Sequence, residues 1–378
     1  MTGRPTMLIL SYSPIARDAR VLKQVARFTQ VFDVTTCGYG PAPAGVVEHI
    51  SIPDDQRYND LDGKLITLKR YRRAYWRLSA VRWSREHLRA RKFDVAIAND
   101  VEAVPVAVKL KPKRGVLADL HEYSPRLHDD HQKWFERITP WFEWVVRRYV
   151  TKATSWSTVS RGIVEEYERQ FGFHAELVTN AAPYHELQPT PVGRPIRLVH
   201  SGACLRNRQL HLMAEAVATA ENDVTLDFYL TANHPDYLEQ LKEFAATTDR
   251  VRVLDPVPYA ELIRTLNDYD VGVFVLPPIT FNYRYALPNK LFDFIQARLG
   301  LVIGPSAEMQ YYVDHYGLGL VAEDFTVEAM RGAIEQLSVE SVTAYKANAH
   351  AQAAEVDGDL EVDKWARLID EQMLGARR

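Results

Sequence analysis

The sequence predicts an α/β protein made of two doubly wound, Rossmann-like domains facing across a cleft. Three observations carry this. Short Val-, Ile- and Leu-rich runs of strand length recur through both halves, alternating with stretches that space their apolar residues as a helix does. A Pro-rich stretch without periodicity, residues 187–196 (LQPTPVGRPI), separates the two sets and reads as a linker. At 378 residues the chain exceeds one ordinary core and suits two domains of about 180 residues each. Ligands in open sheets of this kind bind beyond the strand C-termini.

In the first half, residues 7–11 (MLILS) form a short buried strand. A polar turn follows, then RDARVLKQVARF, with Val21, Leu22, Val25 and Phe28 on one helical face. DVTTC (33–37) is a second strand. DVAIAND (94–100), VPVAVKL (104–110) and GVLADLHEY (115–123) come next. After a long aromatic helix, SWSTVS (155–160), the helix RGIVEEYERQF and AELVTNA (175–181) close the half. The second half repeats the rhythm: RLVHSGA, TLDFYLT, RVRVLD, DVGVFVLP, LVIGP and LGLVA alternate with helical stretches, and VDKWARLIDEQML (362–374) ends it.

Within that half, residues 277–303 (PPITFNYRYALPNKLFDFIQARLGLVI) organise the rest. An apolar run at 271–276 has the look of a buried strand. A loop rich in Pro, Asn and Tyr follows, then a helix marked by Leu291, Phe292, Phe294 and Ile295, with Asp293 near its first turn. A strand, a polar loop and a helix start bring backbone N–H groups and a positive dipole end to a phosphate.

The composition is globular, 47% apolar and 25% charged, and no apolar run approaches a membrane span. No leader peptide is expected ahead of the first strand. Cys37 and Cys204 stand far apart, which suits neither a disulfide framework nor a zinc site and makes a reducing cytoplasm the default. The net charge of −3 hides an asymmetry. Residues 1–187 hold 29 Lys and Arg against 22 Asp and Glu, whereas the remainder holds 17 against 27, so the halves suit different partners.

The string NYRYALPNKLFDF, followed by a strand and GPSAEMQYYVDHYGLGLV, resembles the donor-binding region of GT-B glycosyltransferases of the family-four-like, retaining type. DLHEYSPR (119–126), TVSRGIVEEYERQFG followed by VTNA, HSGACLRNRQLHLMAEAV and the RDARVLKQ helix are similar to the same family, in the same order. The resemblance implies an acceptor-binding domain over residues 1–187 and a nucleotide-sugar-binding domain over 188–361. It further implies a helix, 362–378, that crosses back to the first domain. Such enzymes usually need no metal and no cofactor beyond the sugar nucleotide. The sequence leaves UDP and GDP open.

The departing diphosphate gathers negative charge, which cations and oriented N–H groups must stabilise. In the family a basic residue follows the first strand of the second domain. Here that loop runs from Gly202, which permits close backbone approach, to Arg208, with Arg206 as a neighbouring candidate. Asp293 takes the place of a glutamate that accepts hydrogen bonds from ribose hydroxyls; the alternative is a first-turn carboxylate serving the helix dipole. Lys290 is within reach of the diphosphate, and Asn289 either caps the helix or touches the sugar. By the same resemblance His121 sits beside the transferred sugar and Glu122 orients the acceptor hydroxyl. No catalytic base is expected, because the leaving phosphate takes the acceptor's proton.

Other features have plainer readings. Asp357-Gly358-Asp359 reads as a turn, and His128-Asp129-Asp130-His131 as the capping segment of an aromatic helix rather than a metal cluster. Residues 64–92 hold 11 Lys and Arg against the single acid Glu86, with Leu68, Tyr71, Tyr75, Leu78, Val81 and Leu88 at helical spacing. This reads as one amphipathic basic helix: either a core-facing stripe with a solvated face, or a peripheral contact with anionic lipid or a lipid-linked acceptor. The run Trp134, Phe135, Trp141, Phe142 and Trp144 reads as packing rather than acceptor contact, and no nucleic-acid motif accompanies the charge.

The chain departs from the family at Ala203, in place of a first Arg, and at Tyr285, in place of a first carboxylate. Arg298 stands where a helix-ending Gly is usual, and Gly300 where Pro is frequent. The leading expectation is sugar transfer from a nucleoside-diphosphate donor to a glycan, lipid-linked or small-molecule acceptor. The alternatives are a catalytically silent GT-B subunit that regulates a partner enzyme and, more weakly, a sugar-nucleotide epimerase.

Overall fold

The computed structural model describes residues 3–375. The chain divides into two compact units. The first takes the residues up to Thr179, the tripeptide Thr280–Asn282 and the residues from Glu361 onward; the second takes Asn180–Ile279 and Tyr283–Leu360.

The first unit is built on β1 (Thr6–Pro14), β2 (Asp33–Tyr39), β3 (Glu48–Ile52), β4 (Val95–Asn99), β5 (Val116–Leu120), β6 (Ser155–Thr158) and β7 (Glu176–Leu177). All pair in parallel, in the order β3-β2-β1-β4-β5-β6-β7. The chain therefore reverses its winding between β1 and β4, which opens a crevice at their C-terminal ends. On the helix Ala19–Phe28, Val21, Val25 and Phe28 are buried as expected, but so are Arg20 and Gln24. Asp18 caps this helix by accepting from the N–H groups of Arg20 (3.2 Å) and Val21 (3.1 Å). Asp18→Ala should therefore lower stability by about 1 kcal/mol, read from urea melts.

The single basic helix expected over 64–92 is three short ones: Gly63–Thr67, Tyr71–Arg77 and Ser79–Leu88. Lys69 adopts a left-handed φ of 52°, and Leu78 is extended. Neither break is marked by Gly or Pro. Tyr75, Leu78, Val81 and Leu88 still point inward, while Leu68 is 67% exposed.

The helix Gly358–Gly375 ends the description, and from Glu361 its residues belong to the first unit. Trp365, 1% exposed, donates from Nε1 to Ser157 Oγ (3.1 Å), and Lys364 donates to the Leu177 carbonyl (3.0 Å). Asp357 accepts the N–H of Asp359 (3.0 Å) and of Tyr184 (2.9 Å), so the DGD segment starts this helix.

The second unit is built on β8 (Ile196–Ala203), β9 (Val224–Thr231), β10 (Val251–Leu254), β11 (Val271–Phe274), β12 (Gly300–Ile303) and β13 (Gly319–Val321). They too are all parallel, in the order β10-β9-β8-β11-β12-β13. The switch point here lies between β8 and β11. Leu291, Phe292, Phe294 and Ile295 of the helix Asn289–Gln296 are buried in the core beside β11 and β12. Arg298, which follows this helix, takes the left-handed conformation (φ 62°) that Gly usually supplies. Its buried guanidinium donates to the carbonyls of Gln296 (2.7 Å) and His185 (2.6 Å), which compensates for the missing glycine. The helix Val339–Gln352 and strand β3 were not expected. Among the described residues no helix is long and apolar enough to cross a membrane.

Candidate functional site

The loops after β8 and β11 meet at the second unit's switch point, and between them lies a cavity of about 380 Å³. Gly202, Arg208, Asn289, Lys290 and Asp293, all singled out from the sequence, line it together. Gly202 has a φ of 139°, in the range that favours glycine. A Cβ there would lie 2.8 Å from Lys290 Cε and closer still to Nζ. The missing side chain is thus what lets Lys290 lie across the β8 backbone. Gly202→Val should push Lys290 from this position and weaken anion binding at the cavity while the fold survives, as calorimetry with pyrophosphate and circular dichroism of the same preparation would show.

Lys290 Nζ stands over the Phe274 ring, 5.6 Å from its centroid. Burial and the neighbouring Arg208 lower its pKa to about 8, against a smaller opposing pull from Asp293. Arg208 ends a short turn, Arg206–Arg208, and lies over the Tyr283 ring at 5.1 Å. Asn207 fixes that ring by donating to Tyr283 Oη (2.9 Å). Among the described residues, neither Arg208 nor Lys290 forms an ion pair. Two cations that form no ion pair, beside the first turn of a helix and opposed only in part by Asp293, make this end of the cavity favour an anion.

Asp293 is 4% exposed and sits at the fifth position of its helix, not in the first turn, so the helix-dipole alternative falls away. Pro288 is the N-cap residue, and Asn289 is the first helical residue and faces the cavity, so Asn289 is not the cap. Tyr259 Oη approaches Asp293 Oδ1 at 3.5 Å. His200, buried under the cavity on β8, donates from Nδ1 to the Val273 carbonyl (2.9 Å). Its pKa falls to about 3, chiefly through burial and then through Lys290, so it stays neutral.

Arg206 does not line the cavity. It is paired with Asp236, donates to Gln240 Oε1 (3.2 Å) and lies over Tyr237. The sequence reading missed Tyr229, Thr231, Pro256, Val257, Tyr259 and Leu262, which line the cavity with Ser201 and Pro288. Most of them follow the C-terminal ends of β9 and β10, where an α/β sheet puts its ligand contacts, and that position was the available signal.

His121 and Glu122 belong to the first unit, directly after β5. His121 donates its backbone N–H to Asp100 Oδ1 (3.1 Å). Its Nε2 lies 3.1 Å from Asn99 Oδ1 and 3.3 Å from Asp119 Oδ2, and Nδ1 is 3.5 Å from Asp100 Oδ2. Burial alone would lower its pKa, but Asp100 and Asp119 outweigh burial and raise it to about 9. The ring is therefore an imidazolium near neutrality. Glu122 is exposed, and its carbonyl accepts from Tyr167 Oη (2.9 Å).

The segment 128–131 does not cap its helix through side chains. His131 is the N-cap residue without a capping bond, and Asp129 instead accepts from the Phe281 N–H (3.1 Å) and pairs with Arg126 (2.7 Å). Among the described residues no group of three or more His, Cys, Asp or Glu side chains is placed to hold a metal.

No family model and no curated protein matches the sequence. The structure is similar to that of Anabaena Alr3699/HepE in complex with UDP and glucose, with a TM-score of 0.72 at 12% identity, covering 97% of this chain and 100% of that one. It is similar to sucrose-phosphate synthase from Thermosynechococcus elongatus (TM-score 0.71, 12% identity, 98% and 100% covered). It is also similar to the lipopolysaccharide outer core galactosyltransferase WaaB in its apo form (TM-score 0.67, 11% identity, 97% and 99% covered). At such identities the likeness establishes the fold, which is GT-B.

Proposed function

We propose that the protein is a glycosyltransferase that moves a sugar from a nucleoside diphosphate to an acceptor, with retention and without a metal. The observation that carries this reading is the pair Arg208 and Lys290, without an ion pair at a glycine-floored cavity that Asp293, about one helical turn on from Lys290, also lines. The two cations would take the diphosphate, and Asp293 would accept from the ribose hydroxyls. As the bond from the anomeric carbon to the diphosphate oxygen breaks, Arg208 and Lys290 stabilise the charge left on that oxygen. The acceptor oxygen bonds to the anomeric carbon on the same face, and its proton passes to the departing phosphate. The reading assigns His121 to the transferred sugar and Glu122 to the acceptor hydroxyl. The acceptor is a glycan, a lipid-linked sugar or a small molecule.

The bound UDP of the HepE structure makes UDP the first nucleotide to test. Titration calorimetry with UDP, GDP and their sugars, followed by a donor screen for nucleotide release, decides the matter. Binding by one nucleotide that is lost in Arg208→Ala and Asp293→Ala supports the enzyme. No binding by any of them overturns it.

A further inference from the structure

We propose that the first unit carries a membrane-docking face in the region of the three short helices, which seats the phosphate groups of an anionic lipid surface. This goes beyond the donor reading and does not rest on it. The helices border a cavity of about 870 Å³. Lys69, Arg70, Arg72, Arg73, Arg85 and Lys109 line it, all are exposed, and no acidic residue does. Among the described residues none of the six forms an ion pair. Arg85 rests over the Trp76 ring at 5.4 Å, but concentrated positive charge without ion pairs still raises the free energy of the isolated protein, and an anionic surface relieves that cost.

Two features favour a lipid surface over a soluble anion. Trp76 and Trp144 line the same cavity half-buried, and Trp76 is anchored by its Nε1 to Tyr149 Oη (3.1 Å). A ring such as that of Trp76, with an apolar face and a fixed polar edge, suits the headgroup layer. Leu68 is the second feature. It is 67% exposed, and it borders both this cavity and an adjoining one lined by Lys64 and Arg137. The left-handed turn at Lys69 follows it directly. An apolar tip flanked by cations on both sides, with the nearby Asp62 already paired to Arg77 (3.6 Å), matches phosphate contact with shallow insertion into the acyl boundary.

The test is sedimentation of the full chain with vesicles of phosphatidylcholine alone and of phosphatidylcholine containing phosphatidylglycerol, at low and high salt. Binding only to the anionic vesicles, weakened by salt, is expected. Arg72→Glu with Arg73→Glu should weaken it by at least about tenfold, since each cation near such a surface contributes roughly fivefold. Leu68→Asp should weaken it as well. Circular dichroism and thermal melts of the same variants, unchanged from the parent, show that they fold. Equal binding to neutral vesicles, no vesicle binding, or indifference to the substitutions overturns the proposal. So does stabilisation by inorganic pyrophosphate, or retention of a single-stranded oligonucleotide, with no binding to vesicles.

Discussion

Lys290→Met is expected to give a protein that melts higher than the parent when empty, binds the nucleotide more weakly, and turns over about 10²–10³-fold more slowly. The two halves of this outcome have one cause. Lys290 is held against Gly202 with Arg208 beside it, and burial with that second cation brings its pKa to about 8, below the ordinary 10.5. A lysine whose folded pKa is lowered binds fewer protons folded than unfolded. Stability of the empty protein should therefore rise with pH from about 8 toward 10.5 and be lowest, as far as this group is concerned, below 8. Methionine has similar length and no charge, and it removes that penalty. A bound diphosphate reverses the preference, because it favours the charged amine. Nucleotide binding should thus take up protons near pH 8 and weaken as pH rises above it. Thermal melts with and without UDP from pH 7 to 9, with calorimetry in buffers of different ionisation heat, read both effects. A variant that melts lower than the parent yet binds as well would falsify the assignment.

This cavity was the part of the molecule most legible in the sequence. Val271–Phe274 is a buried strand because a central parallel strand is apolar on both faces, and that signal survives without any partner in view. The glycine after β8, the arginine that follows and the Asn-Lys pair opening a helix are local, and they converge at one switch point. What could not be read was set by contacts distant in sequence. Arg206 pairs with Asp236, and only the fold decides that it does so instead of facing the cavity. The breaks at Lys69 and Leu78 carry no Gly or Pro, so an unbroken apolar spacing stood for three helices. Arg20 and Gln24 are not among the apolar residues that mark the inward face of their helix, yet both are buried. Their partner was visible as an anomaly: Asp119, a carboxylate inside the apolar run of β5, demands buried donors.

Asp119→Ala should cost about 3–5 kcal/mol, because it strands a buried guanidinium. Asp119 is fully buried and accepts from Arg20 Nε (2.8 Å) and Nη2 (2.6 Å), Gln24 Nε2 (2.7 Å) and Ser157 Oγ (2.7 Å). Arg20 spends its remaining reach on the Val178 carbonyl (2.9 Å) and on the Trp365 ring, 4.7 Å from the guanidinium carbon. One carboxylate therefore ties the first helix to β5 and β6 and, through Arg20 and Ser157, to the C-terminal helix, with Ser157 accepting from Trp365 Nε1 on the far side. If stranding is the cause, Arg20→Met in the Asp119→Ala background should recover much of the loss, and the double-mutant cycle should show strong coupling. Additive losses would mean instead that the two residues act by packing alone.

The pH dependence gives a second reading of the same network. Although burial opposes ionisation, Arg20 and His121 hold the Asp119 carboxyl below the usual carboxylate range. Its contribution is present above the ordinary carboxylate pKa and lost as pH falls through the lowered one. His121 behaves in the opposite sense. Raised to about 9, it contributes fully below its ordinary 6.5 and loses that contribution as pH rises through about 9. Without Asp119, His121 loses one of the two carboxylates nearest its ring, keeps Asp100, and should titrate lower. The stability gap between parent and variant in urea melts should thus be widest near neutrality and narrow above pH 9. The imidazole resonances of His121 should move to a lower midpoint in the variant. A histidine that loses its charge at working pH should also lower turnover more than nucleotide affinity, since the nucleotide contacts assigned above come from the second unit and leave Asp119 out.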